Sequence, residues 1–131
     1  MDPLEREQLR KKMALRMGIF LESGNTVSCV SSHYYEEPHF CELCQSSHAD
    51  EILVIKNRSA KKLRVASRCL MEMVRFRVTE VEDLPRWLGK LSELRLESER
   101  RKKEQEQARQ EERKRLEKKV IVRKRASQEP G

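Results

Sequence analysis

The spacing of three cysteines constrains the fold of this chain more than any other feature of its sequence. Cys41 and Cys44 form a CxxC pair, and Cys69 follows after 24 intervening residues. A CxxC turn directs two sulfur atoms to one side, at a spacing that suits a tetrahedral Zn²⁺ ion. Inside a cell, such cysteines are more often metal ligands than disulfide partners. The spacing therefore predicts a zinc site that includes these three thiolates.

The segment between the cysteines has the pattern of a β-hairpin. Residues 51–56 are apolar and β-branched, residues 57–60 are turn formers, and apolar and basic residues alternate over 62–65. Apolar residues at helical spacing then begin near Cys69, and a helix N-terminus favours a thiolate there. The order of a CxxC turn at residues 41–44 (the knuckle), a hairpin and a helix predicts a treble-clef-like zinc module.

The fourth zinc ligand has several candidates in the sequence. We favour His39, because it lies two residues before Cys41 in a predicted loop. Cys29 is the alternative, since it would complete an all-cysteine site and use every cysteine in the chain. His33 and His48 are further candidates. The sequence suggests no open position with a base in range, so we expect the zinc to be structural.

A helix is predicted over residues 1–20. Asp2 can cap it, and Leu9, Met13 and Met17 recur at helical spacing, a stripe that we expect to dock on the zinc module as extra core. Arg and Lys residues interrupt its apolar stretch, so a secretory signal is not expected.

The zinc module and a following helix are assigned to residues 21–96. Residues 21–40 are polar and predicted to be irregular, apart from a short strand at 27–30. A second helical region is predicted to begin at 79–83.

Residues 97–131 are predicted to form a highly charged, basic helical tail. Residues 97–125 contain 13 basic and 7 acidic side chains, and pairs such as Glu97 and Arg101 support a helix. Apolar residues do not sustain a heptad seam, so a coiled coil is not expected. The predicted class is α+β, with an N-terminal helix, a zinc-stabilised module and a long charged C-terminal helix.

These motifs are similar to a small zinc-binding module of phage and prophage proteins. The resemblance covers about residues 39–78 and is carried by three segments, which are 41–44 (CELC), 52–57 (ILVIKN) and 63–70 (LRVASRCL). That family has a CxxCG knuckle, two strands and a VGxxC turn into a helix. The resemblance implies zinc and a mobile-element origin, and it implies no reaction.

The chain departs from the family pattern at three positions. Gln45 replaces the usual glycine after the knuckle, and Ala66 replaces the glycine before the last cysteine. Asn57 stands where some members carry a histidine. The resemblance therefore does not identify the fourth ligand.

Six positive charges cluster on the predicted hairpin and its exit, with no acidic residue among them. An unbalanced basic surface favours phosphate contacts. No base-reading motif accompanies it, so RNA or a ribonucleoprotein is favoured over base-specific DNA recognition. The six residues are Lys56, Arg58, Lys61, Lys62, Arg64 and Arg68.

The leading hypothesis is a non-enzymatic zinc protein that binds nucleic acid or a nucleoprotein machine such as a ribosome or polymerase. The alternative is a phage-type adaptor that regulates a host enzyme through an apolar face. Neither hypothesis involves a small-molecule substrate or a membrane, and a cytoplasmic location is expected. The residues of the proposed partner-binding face are Trp87, Leu88, Leu91 and Leu94.

Overall fold

The computed structural model describes residues 1–128, with side chains described through residue 120. Residues 129–131, the end of the predicted tail, lie outside the described residues. The chain is of the α+β class, as predicted. Its elements are α1 (Pro3–Leu21), β1 (Thr26–Cys41), β2 (Ser46–Lys56), β3 (Lys62–Ala66), α2 (Ser67–Arg75), β4 (Glu80–Glu82) and α3 (Leu84–Gln128).

Helix α1 packs against the core through its apolar side chains at helical spacing, as the sequence predicts. The Asp2 side chain caps the helix by accepting a 2.8 Å hydrogen bond from the backbone N–H of Glu5. Met13 and Met17 are buried. On the same helix, Arg16 donates a hydrogen bond to the carbonyl of Leu43, inside the CxxC pair. Helix α1 therefore supports the knuckle directly.

The sheet has the strand order β3-β2-β1-β4. Strand β1 is antiparallel to β2 over most of its length, so the predicted irregular segment at 21–40 is wrong. Register shifts fall between Cys29 and Ser31 and again between Tyr34 and Phe40. These irregularities interrupt the alternation of buried and exposed side chains. A sequence analysis that depends on this alternation therefore does not recognise the strand.

The predicted hairpin and the helix at Cys69 are confirmed. Strands β2 and β3 pair antiparallel, and α2 begins at Ser67. The second predicted helical region is confirmed as α3, but it begins at Leu84 rather than within 79–83, because strand β4 occupies most of that range and pairs parallel with the start of β1. The buried Thr79 hydroxyl donates to the Asn25 carbonyl at 2.7 Å, and this contact holds the chain at the sheet edge.

One continuous core joins helices and sheet. It includes side chains from α1, the knuckle, β1, β2, β3, α2 and the first turns of α3. Its fully buried members include Met13, Met17, Leu43, Ile52, Leu53, Ile55, Leu70, Met73 and Leu91.

The chain divides into two compact units, Met1–Leu94 and Arg95–Gly131. The described part of the second unit is helical and solvated. Its Glu97 and Arg101 side chains form the predicted i, i+4 ion pair at 2.7 Å. Among the described residues, no helix combines the length and apolarity that crossing a membrane requires.

Asn57 ties the β2–β3 turn to the end of α1, which predicts a large cost for its removal. The side chain is 6% exposed and makes three hydrogen bonds. It donates to the Phe20 carbonyl at 2.7 Å and accepts from the N–H groups of Ser59 and Lys61 at 2.9 and 3.0 Å. We expect Asn57→Ala to lower the free energy of unfolding by about 2–3 kcal/mol, measured by urea denaturation, because buried groups lose their partners.

Ser59→Ala is the matched control in the same turn. It removes an exposed 2.9 Å hydrogen bond to Glu22 and should cost no more than about 0.5 kcal/mol. Equal unfolding midpoints for the two variants would show that the Asn57 side chain does not hold the turn.

Candidate metal centre

The fold brings Cys41, Cys44 and Cys69 together. Their sulfur atoms all lie within 4.8 Å of one another. Cys41 and Cys69 are buried and Cys44 is half-buried. A tetrahedral ion with metal–sulfur bonds of about 2.3 Å would hold its sulfur ligands about 3.8 Å apart. This distance falls within the observed limit of 4.8 Å, so the three cysteines fit a metal ion.

Three structural elements position the cysteines. Cys41 ends β1, and Cys44 lies in the turn that follows, which closes with a 2.8 Å bond from the Gln45 N–H to the Cys41 carbonyl. Gln45 has φ of 60°, the left-handed region that glycine adopts without a steric cost. The phage modules that the motif resembles carry glycine at that position, and the backbone here adopts a conformation that suits glycine. Cys69 lies in the first turn of α2.

The knuckle pairs with the free edge of β3. The Glu42 N–H donates to the Arg64 carbonyl at 3.0 Å, and the Glu42 carboxylate accepts from the Arg64 N–H at 2.7 Å. One step along, the Ala66 N–H donates to the Cys41 sulfur at 3.2 Å. Strand β3 and the cysteine cluster are therefore parts of one hydrogen-bonded unit.

Hydrogen bonds set the protonation of the buried pair. The pKa of Cys41 is lowered to about 5, chiefly by the hydrogen bond from the Cys69 thiol and also by the N–H groups of Ala66, Cys44 and Leu43. The pKa of Cys69 is raised, because its thiol donates to Cys41 and because burial disfavours a second thiolate. The lowered pKa favours a thiolate at Cys41, and binding of a cation would release the proton of Cys69.

The two favoured candidates for the fourth ligand lie outside this cluster. His39 belongs to β1 rather than to a loop, and its ring stacks on Tyr35 with 3.6 Å between centroids. Cys29 lies twelve residues before Cys41 in the same strand, where it pairs with Ile55. Burial raises the pKa of Cys29 to about 11, so this residue is a thiol packed against the core.

The other two histidines have different surroundings. His33 contacts the hydroxyl of Ser31 at 2.9 Å, and its ring stacks on Tyr35 with 6.0 Å between centroids. His48 lies near the start of β2, and its Nε2 is 2.9 Å from the sulfur of Cys44. His48 is thus the histidine whose hydrogen bond reaches the cluster.

All six predicted basic residues are exposed, as a phosphate-binding surface requires. Lys56 and Lys62 are directly opposite each other across β2 and β3. Lys61 forms a 3.0 Å ion pair with Glu22, which lowers the pKa of that carboxyl and offsets part of the positive charge. Arg64 donates to the Tyr35 hydroxyl at 3.0 Å.

A shallow cleft of about 410 Å³ adjoins this surface. Lys56 and Arg58 line it together with Thr26, Ser28 and the acidic Glu82.

The predicted partner-binding face packs inside the first unit. Leu91 is 1% exposed and belongs to the core. Trp87 and Leu88 are half-buried against that core, and the Lys90 amine lies 4.2 Å from the centroid of the Trp87 ring. The apolar face therefore packs the start of α3 against the core.

Two supporting residues were absent from the sequence-based site. Arg16 and Glu42 hold the knuckle, but each acts through the backbone of a distant residue, which leaves no local pattern. His48 has a local signal, since it lies four residues after Cys44, on the exit from the knuckle. No protein-family model, curated protein or solved structure matches this chain, so the resemblance to the phage zinc modules stays a prediction from the motif.

Proposed function

We propose that this chain is a non-enzymatic zinc protein that binds RNA or a ribonucleoprotein through the basic surface of its β2–β3 hairpin. The module is treble-clef-like, with a knuckle, a hairpin and a helix that together surround one ion. The zinc site is structural, and the hairpin makes the functional contacts.

Zinc is the metal that suits the cluster. Three thiolates form a soft ligand set, which favours zinc over magnesium or calcium among the divalent ions of a cell. The knuckle and α2 enclose Cys41 and Cys69, which is typical of a structural site rather than an open catalytic one. The bound ion would fix β3, and therefore the hairpin, relative to the knuckle.

The pairing of Lys56 with Lys62 supports the nucleic-acid proposal most strongly. Like charges directly opposite each other on neighbouring strands destabilise a sheet. Within the described residues, neither lysine has a carboxylate at ion-pair distance. The repulsion between the two lysines is relieved when an anion approaches, and a phosphate backbone supplies closely spaced anions.

An aromatic cluster beside Arg64, another of the six basic residues, suits the same ligand. The ring of Tyr35 stacks with two histidines, and its hydroxyl accepts a hydrogen bond from Arg64, which brings aromatic and basic groups together on the sheet. Aromatic rings beside a basic groove are the usual means of holding single-stranded nucleic acid. The chain offers no recognition-helix motif, which agrees with contacts to phosphate and shape.

Salt dependence tests the proposal. Five of the six basic residues are outside the Glu22 ion pair and are expected to contact phosphate. On a fluorescent single-stranded RNA, the slope of log K against log salt should then be about −3.5, and on duplex DNA about −4.5. Fluorescence anisotropy over a series of salt concentrations measures both slopes. A slope near zero, or no binding at low salt, would contradict the proposal.

A further inference from the structure

Three thiolates leave one position of a tetrahedral zinc ion to be filled. The sulfur atoms of Cys41, Cys44 and Cys69 form the compact group, and water or a fourth side chain must complete it. We propose that Nε2 of His48 is the fourth ligand, which makes the centre a Cys₃His site. This inference rests on the proposed zinc site and names its remaining ligand.

The contact between His48 and Cys44 supports this assignment. Nε2 of His48 lies 2.9 Å from the Cys44 sulfur, closer than the roughly 3.5 Å that separates a nitrogen and a sulfur bound to one zinc ion. Insertion of the ion would push the two atoms apart by about half an ångström. Cys44 is the most exposed of the three cysteines, and the exposed imidazole beside it has room to turn towards the cluster.

The path of the chain keeps this nitrogen near the ion. The turn after Cys41 ends at Gln45, and β2 starts at Ser46, so His48 leaves the knuckle on a strand that pairs with β1. The Ser46 hydroxyl also lies 3.2 Å from the Cys44 sulfur. Residues on the exit from the knuckle thus converge on Cys44, and imidazole is the strongest zinc ligand among them.

The competing candidates are engaged elsewhere. The His39 ring is held by stacking on Tyr35, and Cys29 is packed against the core twelve residues away along β1. Ligation by His39 would require its ring to leave the stack on Tyr35. The imidazole of His48 also lies outside the group of three sulfur atoms, but it is exposed and its Nε2 already contacts one of them.

Cobalt(II) substitution of the full chain tests the assignment. The visible d–d bands of tetrahedral Co²⁺ respond to the ligand set, and the sulfur-to-cobalt charge-transfer intensity counts thiolates. We expect His48→Cys to shift the d–d bands and to raise the charge-transfer intensity by about one third, as three thiolates become four. His48→Ala should weaken Zn²⁺ binding by at least about 10–100-fold, the range known for the loss of residues that only support a ligand.

His39→Ala is the matched control, because it removes a histidine of β1 and should leave both spectrum and affinity unchanged. Wild-type values in His48→Ala, or a changed spectrum in His39→Ala, would overturn the assignment to His48. The proposed zinc site is judged separately by the wild-type chain. If that chain binds neither Co²⁺ nor Zn²⁺, the proposed zinc site is wrong. If it binds metal, but His48→Ala changes neither spectrum nor affinity, only the assignment of the fourth ligand is wrong.

Discussion

Cys41→Ser is expected to abolish stoichiometric zinc binding and to lower the free energy of unfolding by more than about 4 kcal/mol. Cys41 has no exposed surface, and its sulfur also accepts the hydrogen bond from Ala66. Structural zinc contributes about 10–16 kcal/mol to the folding of small zinc modules, more than most domains have in reserve. Metal content by mass spectrometry and thermal unfolding by circular dichroism measure the two effects.

Cys29→Ala is the control for this prediction. It removes a thiol from the same strand, but from the core rather than from the cluster, so it should keep one zinc ion per chain. A chelator should lower the melting temperature of the wild type and of Cys29→Ala alike, with little effect on Cys41→Ser. If Cys41→Ser kept its zinc and its melting temperature, the three cysteines would not form a structural metal site.

Lys62→Glu is expected to weaken RNA binding on the order of 10-fold while making the hairpin more stable. The substitution removes one phosphate contact and should reduce the salt slope on single-stranded RNA by about 0.7. It also places a carboxylate directly opposite Lys56, where a pair of opposite charges contributes about 0.2–1 kcal/mol in place of a repulsion. Anisotropy and urea denaturation on the same sample report the two opposed changes.

Weaker RNA binding together with higher stability would show that Lys62→Glu acts by removing a contact and not by unfolding the hairpin. Lys12→Glu on α1 makes the same change in net charge at an exposed position away from the hairpin, and it should leave binding within about 2-fold of wild type. Equal weakening by the two variants would mean that RNA responds to total charge alone. The double variant Lys56→Glu, Lys62→Glu should lose on the order of 100-fold in affinity.

Sequence patterns predicted those elements whose signals are local. Helix α1 has its cap and stripe, the β2–β3 hairpin has alternation and a turn, and the CxxC pair defines a knuckle. Each of these depends on residues close together in the chain, which is why α1, the hairpin and the cysteine cluster are confirmed.

The missed elements depend on distant partners. Strand β1 carries serines and shifted register, and it is a strand because β2 supplies its hydrogen bonds. Strand β4 has three residues, too few for any period, and only the parallel contact with β1 defines it. The misplacement of β1 also explains the choice of His39, because a histidine in a loop is free to turn towards Cys41, whereas this ring is stacked on Tyr35 within the strand.

The pairing of Glu42 with Arg64 gives the knuckle a second consequence. A strand at the border of a sheet offers unused N–H and C=O groups to any other extended chain, and natural proteins cover such strands. Here the knuckle covers β3, so release of an ion from the proposed zinc site would loosen the knuckle and open the strand to intermolecular pairing. The proposed zinc ion would thus protect the chain against self-association as well as hold the fold, and its loss would lead to aggregation by strand addition.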